Sequence, residues 1–498
     1  MQNKMKTNSI LNKKVVLGIA VMGLVAITPA CKKSFLDVPT QAEQASGTFW
    51  NNQDDAAKGV NSIYANLRAW GNTAFPAIAV ESMGADEAEK GSSPTDATYF
   101  NDYDTFSVNP ADGQLSGFWN AQYQNIFLAN QVLKNVPNIN MDASLKSRYL
   151  AEAKFIRALS YFRLVRAFGD IPLRTTVPND ASEYNVPKST KAQVYTQIET
   201  DLTDAAAVLP QSYMAADLGR ATKGAALGLH AKVAMYLKKW NDVLSYTNQV
   251  MTLGYALLPV YDNVFRLAAE NGTESVFEIQ AALIPGNAAA SNSQYSQVQG
   301  VRGVTGGGWG FNVPTAALAA AFETGDPRRD ATIIFRGETT PQGDVIAATG
   351  DNPMYNQKSY VPFSLYVSGF NEGCQQNFRV LRYSDILLMN AEAANELGNS
   401  AQAISSLELV RARARQGNTS ILPKVTSTDQ ATLRNAIWKE RQVELAMEYD
   451  RYFDVIRQGR AATVFGPKGW KANKNEVWPI PQTEIDLSGG VLTQNPGY

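Results

Sequence analysis

The chain has 498 residues, 45% of them hydrophobic and 18% charged, with 45 basic and 46 acidic side chains, one histidine and two cysteines. A formal charge of −1 without a basic stripe excludes a nucleic-acid binder, which needs clustered cations to displace counterions from phosphates. One histidine and two cysteines also exclude Cys/His zinc sites and argue against a histidine-dependent triad.

The N-terminus reads as a bacterial secretory signal. Lys4, Lys6, Lys13 and Lys14 precede the apolar run Val15–Ile27, and Thr28-Pro29-Ala30 leads into Cys31. The run is too short to span a bilayer. A cysteine at the cut point resembles a lipobox, so Cys31 is expected to carry lipid as the new N-terminus, although Thr28 stands where such boxes usually hold Leu or Val. Residues 1–30 carry four lysines and no acid, so their removal takes the formal charge from −1 to −5. With Cys31 lipidated, Cys374 is alone and no intrachain disulfide forms. Cys374 is then expected to be a small buried or half-buried residue. Residues 31–46 would be a tether.

Helical periodicity follows in chain order, at Asp54–Trp70, Trp119–Val136, Leu145–Phe168, Ala192–Leu209, Thr222–Lys238, Asn241–Leu253, Ser384–Leu397, Ser400–Arg415 and Asp429–Ile456. Each shows apolar residues three and four apart, and several end at Gly or Pro. Two pairs are joined by short turns, at Lys239-Trp240 and at Gly398-Asn399. In Ala391–Val410 small alanines allow close helix approach while Leu397, Leu407 and Val410 fill the groove, as in a tetratricopeptide hairpin. Residues 254–379 are rich in Gly, Ser, Asn, Gln and Pro and have no sustained period. Short strands are expected there at Val276–Gln280 and Thr332–Arg336. An irregular block of this size carries function or its own packing.

The expected fold is mainly α: a tetratricopeptide-like helical-hairpin scaffold with a large, irregular, loop-rich insertion. A single domain covers 47–498. Its scaffold lies at 47–253 and 380–460, the insertion at 254–379 and a tail at 461–498.

Five segments in order carry a family resemblance. Arg157–Leu173 (RALSYFRLVRAFGDIPL), Val380–Ala393 (VLRYSDILLMNAEA) and Glu440–Asp454 (ERQVELAMEYDRYFD) are joined by a tail with Trp478-Pro479-Ile480-Pro481, Glu484-Ile485 and Gln494–Tyr498, and by Phe35-Leu36-Asp37 after Cys31. Over nearly the whole mature chain this resembles the SusD/RagB family of outer-membrane lipoproteins. The arginines and carboxylates of these segments read as structural. Val443, Met447 and Phe453 can face a core while Glu440, Arg441, Glu444 and Glu448 make charge pairs, and the stems of Arg157, Arg163 and Arg166 can cover apolar surface.

The resemblance implies a lipid-anchored nutrient-binding protein on the outward face of the outer membrane. It would capture glycan chains without catalysis or cofactor and close a SusC-like TonB-dependent transporter as its lid. Alternatives are peptide capture, as in RagB-like members, or an envelope scaffold without a small ligand. An enzyme is disfavoured, because nothing fixes two carboxylates at glycosidase separation. Sugar rings stack on Trp or Tyr and bind amides and carboxylates through their hydroxyls. Two stretches offer such groups. One is Gly306–Asn312, with Trp309 flanked by glycines and Asn312 beside it; Tyr295 is a companion. The other is Tyr99–Asp104, with Tyr99, Phe100, Asn101 and Tyr103. Trp70 is read as core or rim. The acidic run Asp86–Glu89 lacks the spacing of a calcium loop and is read as a solvated turn.

Overall fold

Polar caps set the helix starts. The computed structural model describes residues 49–284, 293–305, 307–365 and 375–498; Cys31, its tether and Cys374 lie outside them. Residues 52–498 form one unit. Its main helices are α1 (Gln53–Leu67), α2 (Gly113–Asn135), α3 (Ala143–Phe168), α4 (Lys191–Val208), α5 (Lys223–Tyr236), α6 (Trp240–Met251), α7 (Tyr383–Glu396), α8 (Ser400–Arg415) and α9 (Gln430–Glu444). Asp142, Thr190, Thr222, Asn399 and Asp429 each accept a backbone N–H from the first turn they precede. Gly169, at φ 75°, ends α3 where a side chain would be strained.

Successive helices pack as hairpins from α2 through α6, and α7 packs on both α8 and α9. The stack continues across the insertion because α6 meets α7. There Asn390 Nδ2 donates to Thr247 Oγ1 and Asn248 Oδ1, both at 2.9 Å. The scaffold is thus helical and its hairpins fall where the spacing predicted them. No helix among the described residues is long and apolar enough to cross a membrane.

The charges of the recurring segments are buried and paired. Arg157 grips Asp201 through Nε and Nη2 at 2.8 and 2.7 Å. Arg163 and Arg166 converge on Glu81 at 2.5 and 2.6 Å. Arg441 lies between Asp385 at 2.7 Å and Asp454 at 2.9 Å. Glu440 binds Arg328 and Arg411, and Glu444 binds Arg413, Arg382 and Arg328. The Arg166 guanidinium also sits 4.3 Å from the Phe453 ring centroid. These side chains hold helices together and are unavailable to a ligand.

The helix predicted over Asp429–Ile456 is broken. It ends at Glu444, passes through left-handed Met447 and Tyr449 (φ 63° and 70°), and resumes as Arg451–Arg457. The cause is capture of its end by side chains. The Glu444 carbonyl accepts from Tyr261 Oη at 2.5 Å, Lys358 Nζ at 3.0 Å and Arg382 Nη2 at 3.1 Å, and Met447 N–H donates to Glu87 Oε1 at 2.9 Å. The acidic run also departs from its reading. Asp86 makes a two-pronged pair with Arg451 (2.7 and 2.8 Å), Glu87 is 1% exposed, and Ala88 begins a strand.

Strands β1 (Ala88–Gly91), β2 (Ser275–Ile279), β3 (Phe311–Pro314), β4 (Ile333–Phe335), β5 (Met354–Asn356) and β6 (Phe378–Arg382) pair antiparallel as β1–β3, β2–β6 and β4–β5. The two strands expected in the insertion appear as β2 and β4. The insertion has its own small core of Val301, Val313, Ile334, Ile346, Tyr355 and Tyr360. It is bolted to α9 by Arg328 and Lys358. Pairing of β1 with β3 brings the region after α1 against the glycine-rich turn, and that junction carries the candidate site.

Candidate functional site: an aromatic arc at a glycine-rich turn

Trp309 sits on a turn that only glycine permits. Gly308 N–H donates to Val301 O at 2.7 Å, Trp309 N–H to Gln297 O at 2.8 Å and Gly310 N–H to Gly300 O at 2.9 Å. A Cβ on Gly308 would lie 2.3 Å from Gln297 O, and Gly310 has φ 73°. The folded-back turn leaves the Trp309 indole half-buried at the surface.

Other rings meet it there. Trp70 opens the short helix Trp70–Thr73 and is 37% exposed; its ring centroid is 6.1 Å from that of Trp309. Phe75 opens the next short helix, Phe75–Glu81, and lies 5.1 Å from Trp70 and 5.8 Å from Trp309. Beneath them Phe100 and Phe311 are buried, each against Phe75, at 5.1 and 4.7 Å. Half-buried Tyr99 extends the arc over Phe100 at 5.0 Å. Its hydroxyl is pushed up to about 12 by burial, with Asp112 and Asp96 adding to the effect, so it remains a donor at physiological pH.

A polar frame flanks the rings. Lys90 Nζ donates to the carbonyls of Gly91, Ser93 and Asp96 at 2.9, 2.7 and 2.9 Å, which folds the chain after β1 around an ammonium. Arg302 Nη1 donates to Ser92 Oγ at 2.7 Å and to Trp309 O at 3.2 Å, and pairs with Asp96 at 3.3 Å. The rings are therefore held in place before any ligand arrives.

The expected site residues divide. Trp309 and Tyr99 belong to the arc, and Asn101 is exposed beside it. Tyr295 is corrected: it is 5% exposed and packs on Phe378 at 5.0 Å. Asn312 is fully buried, with Oδ1 accepting from Ser82 Oγ at 2.8 Å and Nδ2 donating to Gln299 Oε1 at 2.7 Å. Its amide is spent on the fold. Phe100 is the floor of the arc and not a contact surface. Tyr103 is buried, with its hydroxyl on Asp112 at 2.8 Å. Sequence reasoning missed Phe75 and undervalued Trp70. One signal was present: both tryptophans of the arc precede a glycine, Gly71 and Gly310, at which a Cβ would lie 2.5 Å from Gly117 O and 2.7 Å from Asn352 Nδ2. The single histidine, His230, is buried and stacked on Tyr246 at 4.1 Å, and burial lowers it to about 4. Among the described residues no cluster of His, Cys, Asp and Glu could hold a metal ion.

The fold and the arc define a helical-hairpin scaffold that presents a preformed aromatic surface. The SusD family model matches residues 273–498, and a model described as starch-binding and associating with the outer membrane matches residues 34–237. SusD-like protein P2 of Formosa agariphila is 29% identical over 481 residues, covering 91% of this chain and 94% of that protein. A laminarin-binding SusD-like protein of known structure is 30% identical with a TM-score of 0.79, covering 90% of this chain and 100% of that one. Surface glycan-binding protein A of Bacteroides thetaiotaomicron, solved with laminarihexaose, shares the fold at 23% identity and TM-score 0.76, covering 89% of this chain and 100% of that one. The chain belongs to the SusD family.

Proposed function

We propose that this protein captures glycan chains at the cell surface on the arc of Trp70, Phe75, Trp309 and Tyr99, without chemical change. It then passes them to a SusC-like TonB-dependent transporter, which it closes as a lid. The observation that carries this reading is the arc itself. Large aromatic faces at a surface cost solvation unless something covers them, and the apolar C–H faces of pyranose rings match them. The laminarin-binding relative at 30% identity and the starch-binding family description support a glycan over a peptide. The test is calorimetric titration of the protein with a neutral polysaccharide panel. Binding that falls about tenfold in Trp309→Ala supports the reading. No binding to any member, or release of reducing ends on incubation, overturns it.

The place of action follows from Cys31, whose lipid would fix the protein to the outer membrane. Cys31→Ser should move the protein from the membrane fraction to the soluble fraction while retaining its melting temperature. Persistent membrane attachment would refute the anchor. Affinity isolation from native outer membranes tests the transporter partnership, and it predicts a co-purifying β-barrel.

A further inference from the structure

Behind the Trp309 turn lies a pocket that the arc does not use. It has a volume of about 250 Å³ and is lined by Val301–Val304 on one side and Ile346–Tyr355 on the other. That is below the roughly 300–1,000 Å³ of drug-sized sites and is the scale of a single ring. The pocket and the arc share a wall. Arg302, which lines the pocket, donates to the Trp309 carbonyl, and Asn352 Nδ2 donates to the Gly310 carbonyl at 2.9 Å. A Cβ on Gly310 would lie 3.0 Å from Arg302 Cβ and 3.3 Å from Tyr355 Cε1, so the missing side chain is what lets the pocket close against the turn.

Two of its polar side chains keep free edges. All hydrogen bonds of the Arg302 side chain leave from Nη1, so Nε and Nη2 remain available among the described residues. The Asp351 carboxylate is exposed and makes no hydrogen bond or ion pair among them. A planar donor edge and a free carboxylate on one small pocket suit sugar hydroxyls, which both donate and accept. The charge is balanced. Arg302 and Lys90 stand with Asp351 and Asp96, two cations and two anions. This favours a neutral ring over a uronate or a sulfated sugar, since an anion would find no net positive charge to meet it.

We propose that this pocket is a second sugar subsite, which takes a neutral pyranose of the same chain whose neighbouring rings lie on the Trp309 arc, with Arg302 and Asp351 as its polar clamp. It rests on the glycan reading and deepens it. One predicted consequence is that affinity grows with chain length until both places are filled.

The test is titration of wild type, Asp351→Ala, Thr349→Trp and Trp309→Ala with neutral gluco-oligosaccharides from disaccharide to hexasaccharide. Asp351 and Thr349 are exposed, so neither change disturbs the core. Asp351→Ala and the pocket-filling Thr349→Trp should each weaken hexasaccharide binding about fivefold and leave the disaccharide unchanged, while Trp309→Ala weakens both. Unchanged hexasaccharide affinity in both pocket variants overturns the subsite, as does an equal loss at every length. Tighter wild-type binding of an oligo-uronate overturns the neutral class. A wild type that binds without any gain with length sinks the subsite alone. A wild type that binds none of the ladder or the wider panel removes the glycan reading, and the subsite with it.

Discussion

Glu444→Gln should destabilise the protein by roughly 3–5 kcal/mol at pH 7, the usual cost of breaking a buried pair. Burial alone would raise this carboxyl, but Arg413, then Arg382 and Arg328, overcome that and hold it at about 2 against an ordinary 4.5. A depression of that size is worth roughly 3 kcal/mol of stability at neutral pH, in accord with the first figure. Glutamine keeps the shape and removes the charge. It leaves Arg413, Arg382 and Arg328, which are 3%, 1% and 0% exposed, with one carboxylate fewer. The sign with pH is also fixed. The folded value is depressed, so this stability is present above pH 4.5 and is lost as pH falls from there through about 2. Urea unfolding followed by tryptophan fluorescence at pH 7, 5 and 4 reads both effects. The variant should be much weaker at pH 7, and its disadvantage should shrink by just under about 1 kcal/mol by pH 4, as the unfolded wild-type chain takes up a proton that folded Glu444, at about 2, still refuses. A loss under about 1 kcal/mol at pH 7, or a disadvantage constant with pH, would refute the cooperative charge network.

Trp70→Ala should weaken glycan binding less than Trp309→Ala does, and the double variant should lose less than the sum, because the two rings share one ligand face; a calorimetric double-mutant cycle measures the coupling. Glu87 is raised to about 8, first by burial, so folding stability should decline as pH rises from 4.5 through 8. Glu87→Gln keeps an acceptor for the Met447 N–H and should remove that decline, giving a higher melting temperature than wild type at pH 9 and little difference at pH 4.

Much of the scaffold was legible because its helices are amphipathic and capped, and because alanines mark the hairpin seams at Ala391–Ala394 and Ala403. The break after Glu444 was not legible. Its cause is a set of partners, Tyr261, Lys358, Arg382 and Glu87, that lie 62 to 360 positions away in sequence. The same limit applies at the site. Trp309 could be found from its glycine flanks, but whether Asn312 faces a ligand or the core depends on Ser82 and Gln299, which no local pattern reveals. Tyr99 and Tyr103 lie one helical turn apart and have opposite fates, because Tyr103 meets Trp478 from the tail at 5.3 Å.

The bolts between the insertion and α9 have a consequence for diversification. Arg328 and Lys358 seat the insertion, and Arg382 seats the strand that leaves it, each buried and each on the Glu440–Glu448 stretch. The stretches between these points are closed loops whose ends are already fixed. Lengthening such a loop costs only a logarithmic entropy, about 0.6 kcal/mol per doubling. A lineage could therefore lengthen or exchange the rim around Asp351, which lies between Arg328 and Lys358, while the three bolts keep each new rim in register with an unaltered stack of helices.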